Sequence, residues 1–324
     1  DMRIGGAYYP EHWPDEKWAE DFQLMREANM SFVRMGEFAW CKLEPKENHF
    51  VFGWLDRAID LAAKMGLDVV LGTPTAGVPA WLAQKHPGIF KVDEDGRVRI
   101  FGGRNDYCVN QPIFQERTEK IVRAMASHFG RNASVIGWQI DNEPGWNGIR
   151  CYCDECQRGF REWLRRKYGS IENLNRSWGT IFGGQEYGDW SQIPLLWPAP
   201  LHNPALLMDS YRFFFDSYVR YIGFQSRILR ELSPGKFVTT NIPPLEYDGP
   251  RFAQSLDFIS FDCYPTLFAP GDPMKIGFLL DQFRGYKQKN FWVLEQQAGI
   301  PGDVTSLPAP EPGQIRLWTY QSVA

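Results

Sequence analysis

Two carboxylates stand where apolar runs of the chain break off. In Val135-Ile136-Gly137-Trp138-Gln139-Ile140-Asp141-Asn142-Glu143-Pro144 an apolar stretch ends in an amide, a carboxylate and a proline. Val135, Ile136 and Ile140 favour a buried strand and Pro144 disfavours its continuation, so Asn142 and Glu143 are expected at the strand's C-terminal end. Phe291-Trp292-Val293-Leu294 is a second such run, ending in Glu295 before Gln296 and Gln297. Taken singly, Glu143 reads as well as a loop carboxylate balanced by an arginine. Two glutamates at the ends of two well-separated strands make the general acid/base plus nucleophile pair that glycoside hydrolysis requires. The Asn142 amide can donate to a sugar hydroxyl or a neighbouring carboxylate, with strand-end capping as the plainer alternative.

A second constellation is Cys151-Tyr152-Cys153-Asp154-Glu155-Cys156, three thiols within six residues, with Cys108 in another loop-like stretch. Four thiolates can enclose a structural Zn²⁺ tetrahedrally, in a closed and non-catalytic site. The Cys151 to Cys153 spacing is shorter than the commonest zinc pattern, so buried free thiols remain the alternative on residues alone. A disulfide fits less well, because closely spaced thiols suit a metal better and nothing else points to secretion. Cys41 and Cys263 read as ordinary partly buried thiols. The histidines show no zinc-protease or deaminase spacing, and no glycine-rich phosphate loop or dinucleotide fingerprint occurs. Neither a catalytic metal nor an organic cofactor is expected.

These side chains need a scaffold of alternating strands and helices. Strands are expected at 3–9, 31–35, 67–71, 135–140, 237–240, 256–260 and 291–294. Helices are expected at about 15–28, 53–65, 112–128, 154–168, 203–232 and 314–323, with a small hairpin at 89–100 and an irregular stretch at 179–201. Such alternation favours a parallel sheet with crossover helices, whose chemistry sits at the C-terminal strand ends. Seven strands and a final helix fall one strand short of a closed (β/α)8 barrel.

The 324 residues, 44% hydrophobic and 23% charged, suit one large soluble domain. Thirteen Trp and thirteen Tyr offer flat faces with polar handles, which suit sugar surfaces as well as cores. A net charge of -4 without a basic tract gives no footprint for nucleic acid. Charges break the first thirty residues and no stretch is long enough to span a bilayer, so no membrane association and a cytoplasmic location are expected.

The segments Gly6-Ala7-Tyr8-Tyr9-Pro10-Glu11-His12-Trp13-Pro14, Trp138-Gln139-Ile140-Asp141-Asn142-Glu143, Glu295-Gln296-Gln297 and Pro312-Gly313-Gln314-Ile315-Arg316-Leu317-Trp318 together resemble the catalytic domain of family 42 β-galactosidases among the glycoside hydrolases. The resemblance implies an α/β fold, a (β/α)8 TIM barrel over 1–324. Zinc-bearing loops would be inserted around 100–110 and 150–157, and the helix holding Arg316 would lead into an eighth strand beyond Ala324, so the chain reads as a fragment. It implies a retaining, exo-acting β-galactosidase that hydrolyses terminal non-reducing β-D-galactosides through a covalent galactosyl-enzyme intermediate. Glu295 matches the nucleophile and Glu143 the acid/base. Arg104, Asn142 and Tyr264 match substrate contacts, and Cys108, Cys151, Cys153 and Cys156 match a structural zinc site. Glu37 stands at a strand end too, and reads equally as half of a buried ion pair. A homo-oligomer, often a trimer in this family, is implied as well. After Glu295 the family often carries a tryptophan, which Gly299-Ile300-Pro301-Gly302-Asp303 lacks. The competing readings are another retaining β-glycosidase or endoglycanase of the same barrel clan, and a non-catalytic, zinc-stabilised carbohydrate-binding scaffold.

Overall fold

A computed structural model of the protein describes residues 2–195, 202–242, 248–268, 273–300 and 309–323. The chain divides into two compact units, one made of Asp1–Pro79, Glu119–Pro144 and Ile222–Ala324, the other of Ala80–Thr118 and Gly145–Tyr221.

The first unit is a barrel-like α/β arrangement of eight parallel strand segments: β1 Gly5–Ala7, β2 Phe32–Met35, β3 Asp68–Gly72, β4 Val135–Gln139, β5 Phe237–Thr239, β6 Asn241–Ile242, β7 Ser260–Cys263 and β8 Trp292–Gln296. They form two ladders, β1-β2-β3-β4-β5 and β6-β7-β8. β5 and β6 are one path interrupted at Thr240, where pairing passes from β4 to β7. The Thr240 hydroxyl donates to the Ile140 carbonyl at 2.5 Å and thereby ties the interruption to the end of β4. Among the described residues no ladder joins β1 to β8, and a cavity of about 520 Å³ is lined by Phe32, Trp292 and Val323 together with neighbours at both chain ends.

Local sequence explains most of these elements. β2 is buried along its whole length, as a parallel strand covered on both faces must be. The helix Gly53–Lys64 buries Trp54, Leu55, Ala58, Ile59 and Ala62 at spacings of three and four, and the chain leaves it through Gly66 at φ +76°. Burying Leu55 and Ile59 contributes about 1.5–3 kcal/mol each. The sixth expected strand forms four residues later than its sequence suggests, at Ser260–Cys263. Asp257 is the cause: its carboxylate accepts from the Val238 N–H at 2.7 Å while its own N–H donates to the Val238 carbonyl at 2.9 Å, so residues before Ser260 enter as a tied loop.

Two one-residue register shifts fall on the strands that carry the glutamates. Val69 pairs with Val135 but Val70 with Gly137, and Phe261 pairs with Val293 but Asp262 with Glu295. Because strand side chains alternate in direction, each extra residue, Ile136 in β4 and Leu294 in β8, reverses which residues share a face with the neighbouring strand.

The opposite, N-terminal ends of the strands are filled by aromatic rings. Phe32, Phe237, Phe258 and Trp292 lie with ring centroids 5.0–5.2 Å apart. Gly137 makes room for them, since a Cβ there would fall 2.3 Å from the Phe237 ring.

The second unit has its own core, where Phe160 and Leu164 of the helix Asp154–Tyr168 meet Leu174 and Trp178 of the helix Ile171–Trp178, with Phe213 and Phe214. The latter helix is capped by Ser170, whose hydroxyl accepts from the Asn173 N–H, and stops at left-handed Gly179. An antiparallel bridge between Val92 and Val98 stands where the hairpin was expected. Residues 196–201 of the irregular stretch lie outside the described residues, as do 301–308 after Glu295. Cys41 proves exposed rather than partly buried, whereas Cys263 is buried. Among the described residues no helix is long and apolar enough to cross a membrane.

Gly137→Ala is expected to overpack the aromatic cluster and to lower stability by about 1–3 kcal/mol in urea denaturation. Gly137→Ala combined with Phe237→Leu should recover part of that loss, and an unchanged midpoint for the single variant would contradict the packing argument.

Candidate active site

Arg34, in the middle of β2, is buried and charged. Its Nη2 meets Glu295 Oε1 at 2.7 Å, its Nη1 donates to Gln139 Oε1 at 3.0 Å, and its Nε lies 2.9 Å from Glu37 Oε1. Burial by itself would favour loss of its proton, but the Glu37 and Glu295 carboxylates override it and hold the guanidinium firmly charged. The Glu295 side chain keeps 17% of its surface exposed against 2% for Arg34, so it remains open to a reactant. Its second oxygen, Oε2, accepts from the Tyr264 hydroxyl at 2.7 Å. Burial, reinforced by the Glu295 charge, raises the Tyr264 hydroxyl far above its ordinary range, so it stays protonated as a donor.

Asn142 and Glu143 occupy a strained turn. Asp141 has φ 57° and Glu143 φ 45°, a left-handed conformation that costs a non-glycine residue about 1–3 kcal/mol. Hydrogen bonds hold it in place. The Asp141 N–H donates to Thr73 Oγ1 at 2.7 Å, Thr75 Oγ1 donates to Asp141 Oδ2 at 2.7 Å, and the Asn142 N–H donates to Asp141 Oδ1 at 2.7 Å. The Glu143 N–H donates to Asn241 Oδ1 at 2.9 Å. Asn142 Nδ2 reaches Glu143 Oε2 at 3.5 Å.

Asn241 links the two glutamates. Besides taking the Glu143 N–H, its Oδ1 accepts from Gln139 Nε2 at 2.9 Å, and its Nδ2 donates to Asn142 Oδ1 at 3.0 Å, Asp262 Oδ2 at 2.7 Å and, more weakly, Glu295 Oε1 at 3.4 Å. Gln297 fastens the loops beyond β7 and β8, donating to Thr266 Oγ1 at 2.7 Å and accepting from the Thr266 N–H at 3.0 Å. Asn142, Glu143, Tyr264 and Glu295 are thus gathered in one network, in which Glu37 is the ion-pair partner of Arg34. Arg104 belongs to the second unit, where its carbonyl accepts from Asn147 Nδ2 at 2.6 Å.

Sequence reading does not single out Arg34, Gln139, Asn241 or Asp262 as site residues. A usable signal did exist for Arg34: a charge inside the otherwise apolar Phe32-Val33-Arg34-Met35 is costly unless it meets partners. Asp262 was hidden by the misplaced sixth strand.

In the second unit Cys108, Cys151, Cys153 and Cys156 are buried, with all four sulfurs within 4.8 Å of one another. Cys108 Sγ lies 3.4 Å from Cys156 Sγ and 3.8 Å from Cys153 Sγ. Sulfurs about 2.3 Å from a zinc ion stand about 3.8 Å apart in a tetrahedron, so the spacing suits a metal and is far too long for a disulfide. Amide donors surround the sulfurs: Val92 N–H to Cys151 at 3.4 Å, Asn110 Nδ2 to Cys156 at 3.3 Å and Gln111 Nε2 to Cys153 at 3.5 Å. Such donors favour thiolates over thiols, and the buried cluster can hold a metal ion.

Glu143 lies just beyond the C-terminal end of β4 and Glu295 near the C-terminal end of β8, the strand ends where parallel α/β barrels carry their chemistry. A family model described as β-galactosidase, glycoside hydrolase family 42, matches residues 7–324. The chain belongs to that family. It is 44% identical to a β-galactosidase of Thermus thermophilus over 99% of its own length and 53% of the relative's. It superposes on a solved β-galactosidase of Halorubrum lacusprofundi with a TM-score of 0.96 at 39% identity, covering 100% of this chain and 51% of that one. For a β-galactosidase from the psychrophilic Marinomonas ef1 the TM-score is 0.95 at 35% identity, with 99% and 52% covered. The chain therefore spans about half the length of these relatives.

Glu11, in the same first unit, has no hydrogen-bond partner among the described residues for either carboxylate oxygen beyond its own backbone, and burial pushes its carboxyl up from 4.5 to about 7, with the Glu37 charge adding to the rise. Between those values the folded chain keeps a proton that the unfolded chain has released, so stability falls as pH rises across that window. Glu11→Gln should flatten this slope in urea denaturation and exceed the native protein at pH 8 by roughly 1–3 kcal/mol. Parallel pH profiles for the two proteins would refute the assignment.

Proposed function

We propose that this chain carries the catalytic site of a retaining β-galactosidase acting on terminal, non-reducing β-D-galactosides. The observation that carries the reading is the convergence of Arg34, Tyr264 and Asn241 on Glu295, joined through Asn241 to the Asn142-Glu143 turn. A carboxylate paired with a buried guanidinium and a hydroxyl donor stays ionised, as a nucleophile must. Glu295 attacks the anomeric carbon while Glu143 gives its proton to the departing oxygen. Glu143 then takes a proton from water, which displaces Glu295 from the galactosyl-enzyme and preserves the β configuration. Asn142 and Tyr264 contact the sugar. Cys108, Cys151, Cys153 and Cys156 hold Zn²⁺, whose contribution is to the fold of that unit and not to bond cleavage. Reduced, closely spaced thiols suit the cytoplasm, and family membership favours a homo-oligomer, a trimer in particular.

A 2-deoxy-2-fluoro-β-galactosyl reagent should label Glu295, and hydrolysis should first release the β-anomer. Initial release of the α-anomer, or a label placed reproducibly on another carboxylate, would sink the scheme. Glu143→Ala should slow a substrate with a poor leaving group by about 10²–10⁴-fold and an activated phenolate far less, with azide restoring turnover as β-galactosyl azide. A panel of aryl β-glycosides tests the sugar preference, and faster turnover of another sugar would shift the reading to a different β-glycosidase of the same barrel clan.

Metal analysis after reducing, chelator-free purification should find about one zinc per chain. Cys156→Ser should lower both the metal content and the thermal midpoint. Metal-free protein of unchanged stability with four reactive thiols would overturn the zinc site.

A further inference from the structure

Asp262 is a further carboxyl group of the site and has no part in the scheme above. It is the direct ladder partner of Glu295, just past the one-residue shift at Phe261, so the two side chains share a face of the sheet. It is completely buried. Its Oδ2 accepts from Asn241 Nδ2 at 2.7 Å, while its Oδ1 is buried with no hydrogen-bond partner among the described residues. The groups that act on it are the Glu295 and Glu143 carboxyls and the Arg34 guanidinium, with the Tyr264 hydroxyl and the Cys263 thiol on its own segment. Arg34 already answers Glu37 and Glu295. A charge on Asp262 would place a bare anionic oxygen in the protein interior beside another carboxylate, whereas the neutral acid avoids that cost.

The contacts of Asn241 give such a neutral group a purpose. An asparagine amide can sit either way round, and the catalytic turn requires one way: Oδ1 toward the Glu143 N–H and Nδ2 toward Asn142 and Glu295. Asp262 Oδ2, an acceptor on the Nδ2 side, selects that orientation. We propose that Asp262 is a positioning residue, a neutral carboxyl that fixes the Asn241 amide and through it the strained Glu143 backbone and the Glu295 carboxylate. Keeping Asp262 uncharged also leaves the Arg34 charge to Glu295. Burial, and then the charges of Glu295 and Glu143, push its acidity in the direction this requires.

This role rests on Glu143 and Glu295 being the catalytic pair, and the test separates the two ideas. Infrared difference spectra of aspartate-labelled native protein against Asp262→Asn should show a protonated-carboxyl band that persists through neutral pH and is missing from the variant. Asp262→Ala should lower kcat on an aryl β-galactoside by about 10- to 100-fold and displace its pH profile, because the Asn241 amide loses the shortest of its hydrogen bonds. Asp262→Asn keeps a neutral acceptor for Asn241 and should rescue most of that loss. Absence of the band, or an Asp262→Asn variant as impaired as Asp262→Ala, overturns the proposal. Should Asp262→Ala fail to fold, the band together with substantial turnover by Asp262→Asn carries it. If the native protein turns over no galactoside, the functional assignment fails, while the band still decides whether Asp262 is neutral and its absence still overturns the proposal.

Discussion

A charged guanidinium inside a four-residue buried strand cannot be solvated by water, so the chain must bring its partners to it. Arg34 meets Glu37 from the segment after its own strand, Gln139 from β4 and Glu295 from β8. Glu37 and Gln139 are fully buried, and removing either leaves a charge or a polar group stranded, at a cost of about 3–5 kcal/mol for a broken buried pair. The guanidinium therefore couples the assembly of the barrel to the geometry of the site. Two carboxylates, those of Glu37 and Glu295, answer its charge.

The second constraint is backbone strain. Left-handed Asp141 and Glu143 on either side of Asn142 turn the chain sharply at the end of β4, and side chains from the segment after β3 and from β6 hold the turn. Strain of this kind persists only where the surroundings over-determine it. Here the restraint runs through the amide of Asn241, which also reaches Glu295 on β8, so the two glutamates are positioned by one shared donor and acceptor rather than separately.

The second unit solves a different problem. Its loops around Cys108 and Cys151–Cys156 have little regular structure of their own, and four converging sulfurs supply a fixed point from which the helix Asp154–Tyr168 departs. Amide donors from Val92, Asn110 and Gln111 meet those sulfurs, and the cluster packs into the unit's apolar core beside Tyr152 and Phe160.

The sequence by itself determined the alternation of strands and helices, because apolar runs of four to six residues and helical stripes at spacings of three and four leave little choice. It likewise determined that Glu143 and Glu295 stand at strand ends, since Pro144 stops one run and Gln296-Gln297 turns the other out of apolar sequence. The closeness of Cys151, Cys153 and Cys156 was legible in the sequence, and the family resemblance supplied Cys108 as the fourth. Only the tertiary structure decided register. One extra residue in β4 and one in β8 reverse which side chains share a face with the neighbouring strand, and no local propensity records such a shift. Only the tertiary structure displaced the sixth strand, because the tie between Asp257 and Val238 is long-range. Arg34, Asn241 and Asp262 belong to the same class, for the charge or amide is visible in the chain but its partners are brought together only when distant strands pair.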